Sequence, residues 1–145
     1  MKFALLSTVF FLSFVVGCGS SKPTPVPTKG VVKTKSGRPC DNALVVFHPI
    51  DQGRLNDPKP VATTNNEGEF VLTTFAVNDG ALPGDYAVTV VWPGKDPKAG
   101  KMSMSGEGGT VGADQLKGKF GNPSKPLLKA TVAKESAPAL AFEVN

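Results

Sequence analysis

From residue 26 onward the apolar positions recur at every second place, the spacing of a strand that turns one face to a core. Val26, Thr28, Gly30 and Val32 share one face of a first strand, Lys29 and Lys33 take the other, and Lys35-Ser36-Gly37-Arg38-Pro39 has the composition of a turn. The run Ala43-Leu44-Val45-Val46-Phe47-His48 is apolar on nearly both faces, which predicts a central strand. Residues 61–64 and 70–75 flank Asn65-Asn66-Glu67-Gly68, whose Asn and Gly tolerate left-handed backbone, so this pair is expected to be adjacent and antiparallel. Tyr86, Val88, Val90 and Trp92 alternate with Ala87, Thr89 and Val91 in the longest strand; Leu128, Ala130 and Val132, then Leu140, Phe142 and Val144, supply two more. The pattern therefore predicts an all-β, seven-stranded antiparallel β-sandwich over residues 26–145.

The alternation fails between Trp92 and Pro126, where Gly and Pro dominate and Phe120 is the only aromatic residue. A loop of that length in a small domain is expected to be a functional surface or mobile. Residues 95–113 are expected to move, while Leu116 and Phe120 dock the rest of the 93–126 loop onto the core. Lys95, Lys98 and Lys101 are its candidate contact residues.

Composition narrows the function classes. The 145 residues include 16 Lys plus Arg against 12 Asp plus Glu, one His and two Cys, with 40% hydrophobic and 19% charged. That apolar content suffices for one folded domain rather than a disordered tail. One His and two Cys cannot build a multi-histidine or four-ligand zinc centre, so no metal or cofactor is expected. The formal charge of +4 is spread along the chain, and no nucleic-acid partner is expected.

Residues 1–17 have a different character. Lys2 precedes an apolar run from Phe3 to Val16 and a small residue, Gly17, follows it, which is the layout of a cleaved secretory leader. The run is shorter than the roughly 20 residues of a permanent helical span. Val15-Val16-Gly17-Cys18 resembles the lipobox of bacterial lipoproteins, with an aliphatic residue three places before an invariant Cys and a small residue just before it. That resemblance implies cleavage between Gly17 and Cys18, a diacylglyceryl group on the Cys18 sulfur, and acylation of the new amine, with palmitate among the acyl chains. A thiolate is the strongest nucleophile the chain can offer for such a transfer. Two or three acyl chains on one residue make release negligible, because each buried methylene contributes about 0.8 kcal/mol. Residues 18–25, rich in Gly, Ser and Pro, then read as a flexible tether. The sorting rule of double-membrane bacteria, applied to Gly19, favours the outer membrane within a cell-envelope location.

Gly30-Val31-Val32, Ala43 to Pro49, Thr64-Asn65-Asn66-Glu67-Gly68-Glu69-Phe70 and Leu82-Pro83-Gly84-Asp85-Tyr86-Ala87-Val88 together resemble the carboxypeptidase regulatory-like, transthyretin-like β-sandwich. The shared residues are turn formers and core aromatics: Gly68 for a positive φ, Pro83-Gly84 for a turn, Tyr86 for a buried ring whose hydroxyl caps a backbone group. The resemblance implies a lipid-anchored, non-catalytic binding or structural module. Its partners would be the membrane, through the anchor, and an envelope protein or glycan.

Two sharper alternatives compete. Transthyretin-like hydrolases of 5-hydroxyisourate rely on several His and Arg residues and a Tyr-Arg-Gly-Ser ending, whereas this chain offers His48 and ends Phe142-Glu143-Val144-Asn145. Self-crosslinking adhesin domains join a first-strand Lys to a last-strand Asn beside a buried acid, and Lys29 or Lys33, Asn145 and Asp79 occupy roughly those places. The two Lys fall on the solvent face, which favours ordinary exposed side chains. No catalytic residue is assigned. Cys40, the second thiol, is expected to be a small buried residue beside a turn, and Trp92 is in phase with the core.

Overall fold

The two-residue alternation is realised as strands in a computed structural model that describes residues 23–94, 112–135 and 139–145. Seven strands lie within them: β1 (Lys29–Thr34), β2 (Leu44–Pro49), β3 (Val61–Thr63), β4 (Glu69–Val71), β5 (Gly84–Val91), β6 (Leu128–Val132) and β7 (Leu140–Val144). A single 3-10 turn covers Gln52–Arg54. The strands form two sheets, ordered β4-β1-β7 and β3-β2-β5-β6, so the all-β, two-sheet expectation holds. Among the described residues no helix is long and apolar enough to cross a membrane.

Inward positions follow the pattern. Val32, Phe70, Phe142 and Val144 of the three-stranded sheet face Val45, Phe47, Tyr86, Val88 and Val132 of the four-stranded one, all buried. Lys29 and Lys33 lie exposed on the outer face of β1. The run expected to be central, β2, sits between β3 and β5, and β5 is buried from Tyr86 through Val90.

Three details differ from the expectation. The sandwich is not wholly antiparallel, because β1 and β7 pair in parallel from Gly30↔Leu140 to Thr34↔Val144. The reason is topological: β6 ends beside Gly84, at the end of the sandwich where β1 begins, and β7 therefore starts at that same end. The segments around the Asn65-Gly68 turn are not a two-stranded unit of one sheet. β3 pairs with β2 and β4 with β1, and the two segments meet only through an isolated bridge, Val61↔Thr73. Ala62 and Phe70 must both turn inward from opposite layers, and the Gly68 backbone, at φ 77°, carries the chain across while its carbonyl accepts from Val32 N–H at 2.8 Å. Finally, the strand expected over residues 70–75 ends at Val71, and Phe75 is exposed.

The layers are joined by aromatic rings. Phe47 lies 5.5 Å from Tyr86 in its own sheet and 6.4 and 6.1 Å from Phe70 and Phe142 in the other, and those two rings stack at 6.1 Å. Edge-to-face and offset contacts of this kind add to the area that the rings bury. Phe47→Ala would leave a cavity bounded by three rings and is expected to destabilise the fold by about 3–5 kcal/mol, read from urea unfolding followed by Trp92 fluorescence.

Candidate functional site

Strand directions set two poles. At one, β1, β5 and β7 begin and β2, β4 and β6 end; the loop carrying Gln52–Arg54 and the 72–83 segment gather there. The N-terminal segment enters the domain at this same pole. Val26 N–H donates to Ala81 O at 2.8 Å and Ala81 N–H returns a bond to Val26 O at 3.0 Å, while Thr28 Oγ1 donates to Val26 O at 2.7 Å. Gly80 makes this close approach possible: its φ is 97°, and a Cβ there would overlap the Val26 carbonyl. The incoming chain is thus clasped to the domain at Val26 by its own backbone.

Next to the clasp, one carboxylate shapes a loop. Asp79 Oδ1 accepts from Thr74 N–H at 2.7 Å, and Oδ2 accepts from Phe75 and Ala76 N–H, each at 2.9 Å. Partial burial works against its ionisation, but those N–H donors prevail and hold the carboxyl below its ordinary range. Asn78 N–H donates to Thr73 Oγ1 at 2.9 Å. The chain curls instead of continuing β4, and it presents Phe75 and Val77 to solvent.

On the other side of the pole, Arg54 ties the 3-10 turn to β5. Its Nη2 donates to Tyr86 Oη at 2.7 Å, Nη1 to Pro83 O at 2.5 Å and Nε to Asp57 at 2.9 Å, with Asp51 at 3.5 Å. Burial pushes the Tyr86 phenol up against the pull of Arg54, so the hydroxyl stays protonated and donates to Leu82 O at 2.6 Å. Tyr86 therefore buries its ring and caps a backbone carbonyl, as expected. Arg54 was not legible beforehand, although the spacing Asp51-x-x-Arg54-x-x-Asp57 was a usable signal for a self-satisfied turn.

The residues singled out in the sequence are placed apart. Gly17, Cys18, Lys95, Lys98 and Lys101 lie outside the described residues, as does the greater part of the segment expected to move. Leu116 and Phe120 do dock, and Asp114 holds that segment by accepting from the N–H groups of Trp92, Leu116 and Gly118 at 2.9, 3.0 and 2.8 Å. Trp92 is core, with its indole N–H donating to Asp41 O at 3.0 Å and Arg38 over its ring. His48 is half-buried on the outer face of the central strands, with Nε2 3.0 Å from Thr89 Oγ1; burial and Lys59 both lower its pKa. Cys40 is fully buried, and desolvation pushes its thiol up to about 11, with Arg38 opposing and Asp41 assisting.

The crosslinking set does not assemble. Asp79 is engaged at the pole where the N-terminal segment enters, whereas Asn145 follows β7 at the opposite pole and accepts from Lys119 Nζ at 2.8 Å. Among the described residues there is also no group of three or more His, Cys, Asp or Glu placed to hold a metal. Two open grooves of about 330 and 360 Å³ run along β4, and the charged groups on their walls are Lys29 and Glu69. No family model, curated protein or solved structure matches the chain.

Two measurements probe this geometry. Gly80→Ala is expected to cost about 1–2 kcal/mol or more through the left-handed backbone alone and to open residues 23–28 to limited proteolysis. Iodoacetamide at pH 8 is expected to leave Cys40 of the folded protein unmodified and to alkylate it within minutes in denaturant, monitored by intact mass. Because the folded thiol titrates above the unfolded one, its contribution to stability is present at neutral pH and declines between the ordinary thiol pKa and about 11.

Proposed function

We propose that this protein is a lipid-anchored lipoprotein of the bacterial cell envelope, the outer membrane being favoured, whose β-sandwich of the carboxypeptidase regulatory-like, transthyretin-like type acts as a non-catalytic binding or structural module. The observation that carries the reading is the apolar leader ending in Val15-Val16-Gly17-Cys18, followed by only seven residues before the domain takes hold of the chain at Val26. A tether so short and so firmly clasped is suited to holding a domain at a bilayer surface.

The non-catalytic part draws support from how the chemically capable side chains are engaged. His48 is turned to Thr89, Cys40 is buried as a neutral thiol, and Asp79 and Asp114 accept from loop backbones. Each of these is what a rigid scaffold requires, and none projects free into a shared cleft. An envelope protein or a glycan, meeting the 93–126 loop with Lys95, Lys98 and Lys101, is the proposed binding partner.

Metabolic labelling with palmitate is expected to mark the wild type and not Cys18→Ala, and the mature wild-type mass is expected to correspond to a chain beginning at an acylated Cys18. An unlabelled wild type that retains residues 1–17 would overturn the proposal.

A further inference from the structure

The exposed large apolar side chains are unevenly distributed. Val77 is 84% exposed, Phe75 and Leu55 are each 58%, and Ile50 is 44%, and all four stand on loops of the tether pole. Val61 and Val71, also exposed, lie where β3 and β4 meet that pole through the Thr73 bridge and the Lys29 pairing. At the opposite pole the 65–68 turn shows only Asn65, Asn66 and Glu67 to solvent, and the large apolar side chains exposed there are Leu44, at 43%, and Leu127, at 57%, at and just before the starts of β2 and β6. Exposing a cluster of large apolar groups on loops is unfavourable in water and marks a contact surface.

These loops are not loose. The Phe75 and Val77 loop is drawn together by Asp79, and the Leu55 turn is braced by Arg54 against Pro83 and Tyr86, so the apolar tips are presented on rigid supports. Among the carboxylates at the pole, Asp51 and Asp57 face Arg54, Asp79 faces three N–H groups and Asp85 accepts from Thr131, while Glu135 is exposed; the exposed Lys29, Lys59 and Lys134 have no carboxylate within ion-pair distance among the described residues, as is also true of Lys33, Lys35, Lys117 and Lys125 elsewhere.

The occupant follows from the length of chain outside the domain and where it ends. Eight steps separate Cys18 from Val26, which at full extension span about 28 Å, and the tether emerges at this pole beside Ala81. We infer that the tether pole is a membrane-facing surface, in which Phe75, Val77, Leu55 and Ile50 enter the boundary between headgroups and acyl chains of an anionic bilayer while Lys29, Lys59 and Lys134 meet its phosphates. Apolar tips bordered by lysines are the chemistry of interfacial binding. The acyl anchor confines the domain near the bilayer, and the pole then fixes its orientation, turning the opposite pole with the flanks of the 93–126 loop away from the lipid. This inference rests on the lipid anchor proposed above.

The test uses the full acylated protein in vesicles of phosphatidylethanolamine and phosphatidylglycerol, with a nitroxide on Val77→Cys or, as control at the opposite pole, on Glu67→Cys. Both positions are exposed, and the buried Cys40 leaves one reactive thiol. Power-saturation spectra are expected to give the label at 77 a several-fold higher ratio of oxygen to nickel-chelate collisions than the label at 67, and Phe75→Ser is expected to reduce that ratio. Acylated, vesicle-bound protein in which both labels show the same ratio overturns this inference alone. So does dipolar broadening between labels at 77 without an oxygen excess, which would mean that the pole contacts a second copy. Protein lacking acyl mass at Cys18 overturns the anchor and this inference together.

Discussion

The contact of Phe47 with Phe70 and Phe142 holds the two layers face to face, and the positions of the loops depend on it. The two sheets share no long ladder. Their strands meet through side chains and a single bridge between Val61 and Thr73. Ring packing across the interior therefore decides which residue of each strand lies opposite which, and it also places Tyr86 so that its hydroxyl reaches Leu82 and Arg54. From that one side chain the order runs outward: core ring, capped carbonyl, braced turn, pole.

Loop rigidity has a second origin. Cys40 is the free thiol among the described residues, so no disulfide there fastens the loops. Side-chain acceptors do so instead. Asn65 Oδ1 takes the N–H groups of Glu67 and Glu69, Asp79 those of Thr74, Phe75 and Ala76, and Asp114 those of Trp92, Leu116 and Gly118. Each is a short polar side chain that satisfies several backbone donors which neither sheet can reach, and each converts a turn into a fixed support. The same device thus explains the crossing between sheets at residues 65–69, the apolar tips at one pole and the docking of Leu116 and Phe120 at the other.

The two ends of the sandwich are consequently unlike. One carries the incoming chain and the apolar tips Ile50, Leu55, Phe75 and Val77; the other carries a polar turn, the exposed Leu44 and Leu127 and the flanks of the 93–126 loop.

Much of this was readable along the chain. Alternation at Val26 to Val32, at Tyr86 to Trp92 and at Leu140 to Val144 determined strands and their inward faces, because a side-chain period of two is a local property of extended backbone. Gly68, the Tyr86 hydroxyl, and the docking of Leu116 and Phe120 were legible for the same reason: local stereochemistry or an isolated apolar residue in a polar stretch points to one outcome. Pairing was not local. That β7 lies parallel to β1, that β3 and β4 part into different sheets, and that Phe75 is turned outward by Asp79 depend on which distant surfaces bury one another and which acceptor reaches a free N–H. The gathering of Ile50, Leu55, Phe75 and Val77 at the pole where the chain enters is of this second kind, since residues so separated in sequence come to one end only when the strand order brings their loops there.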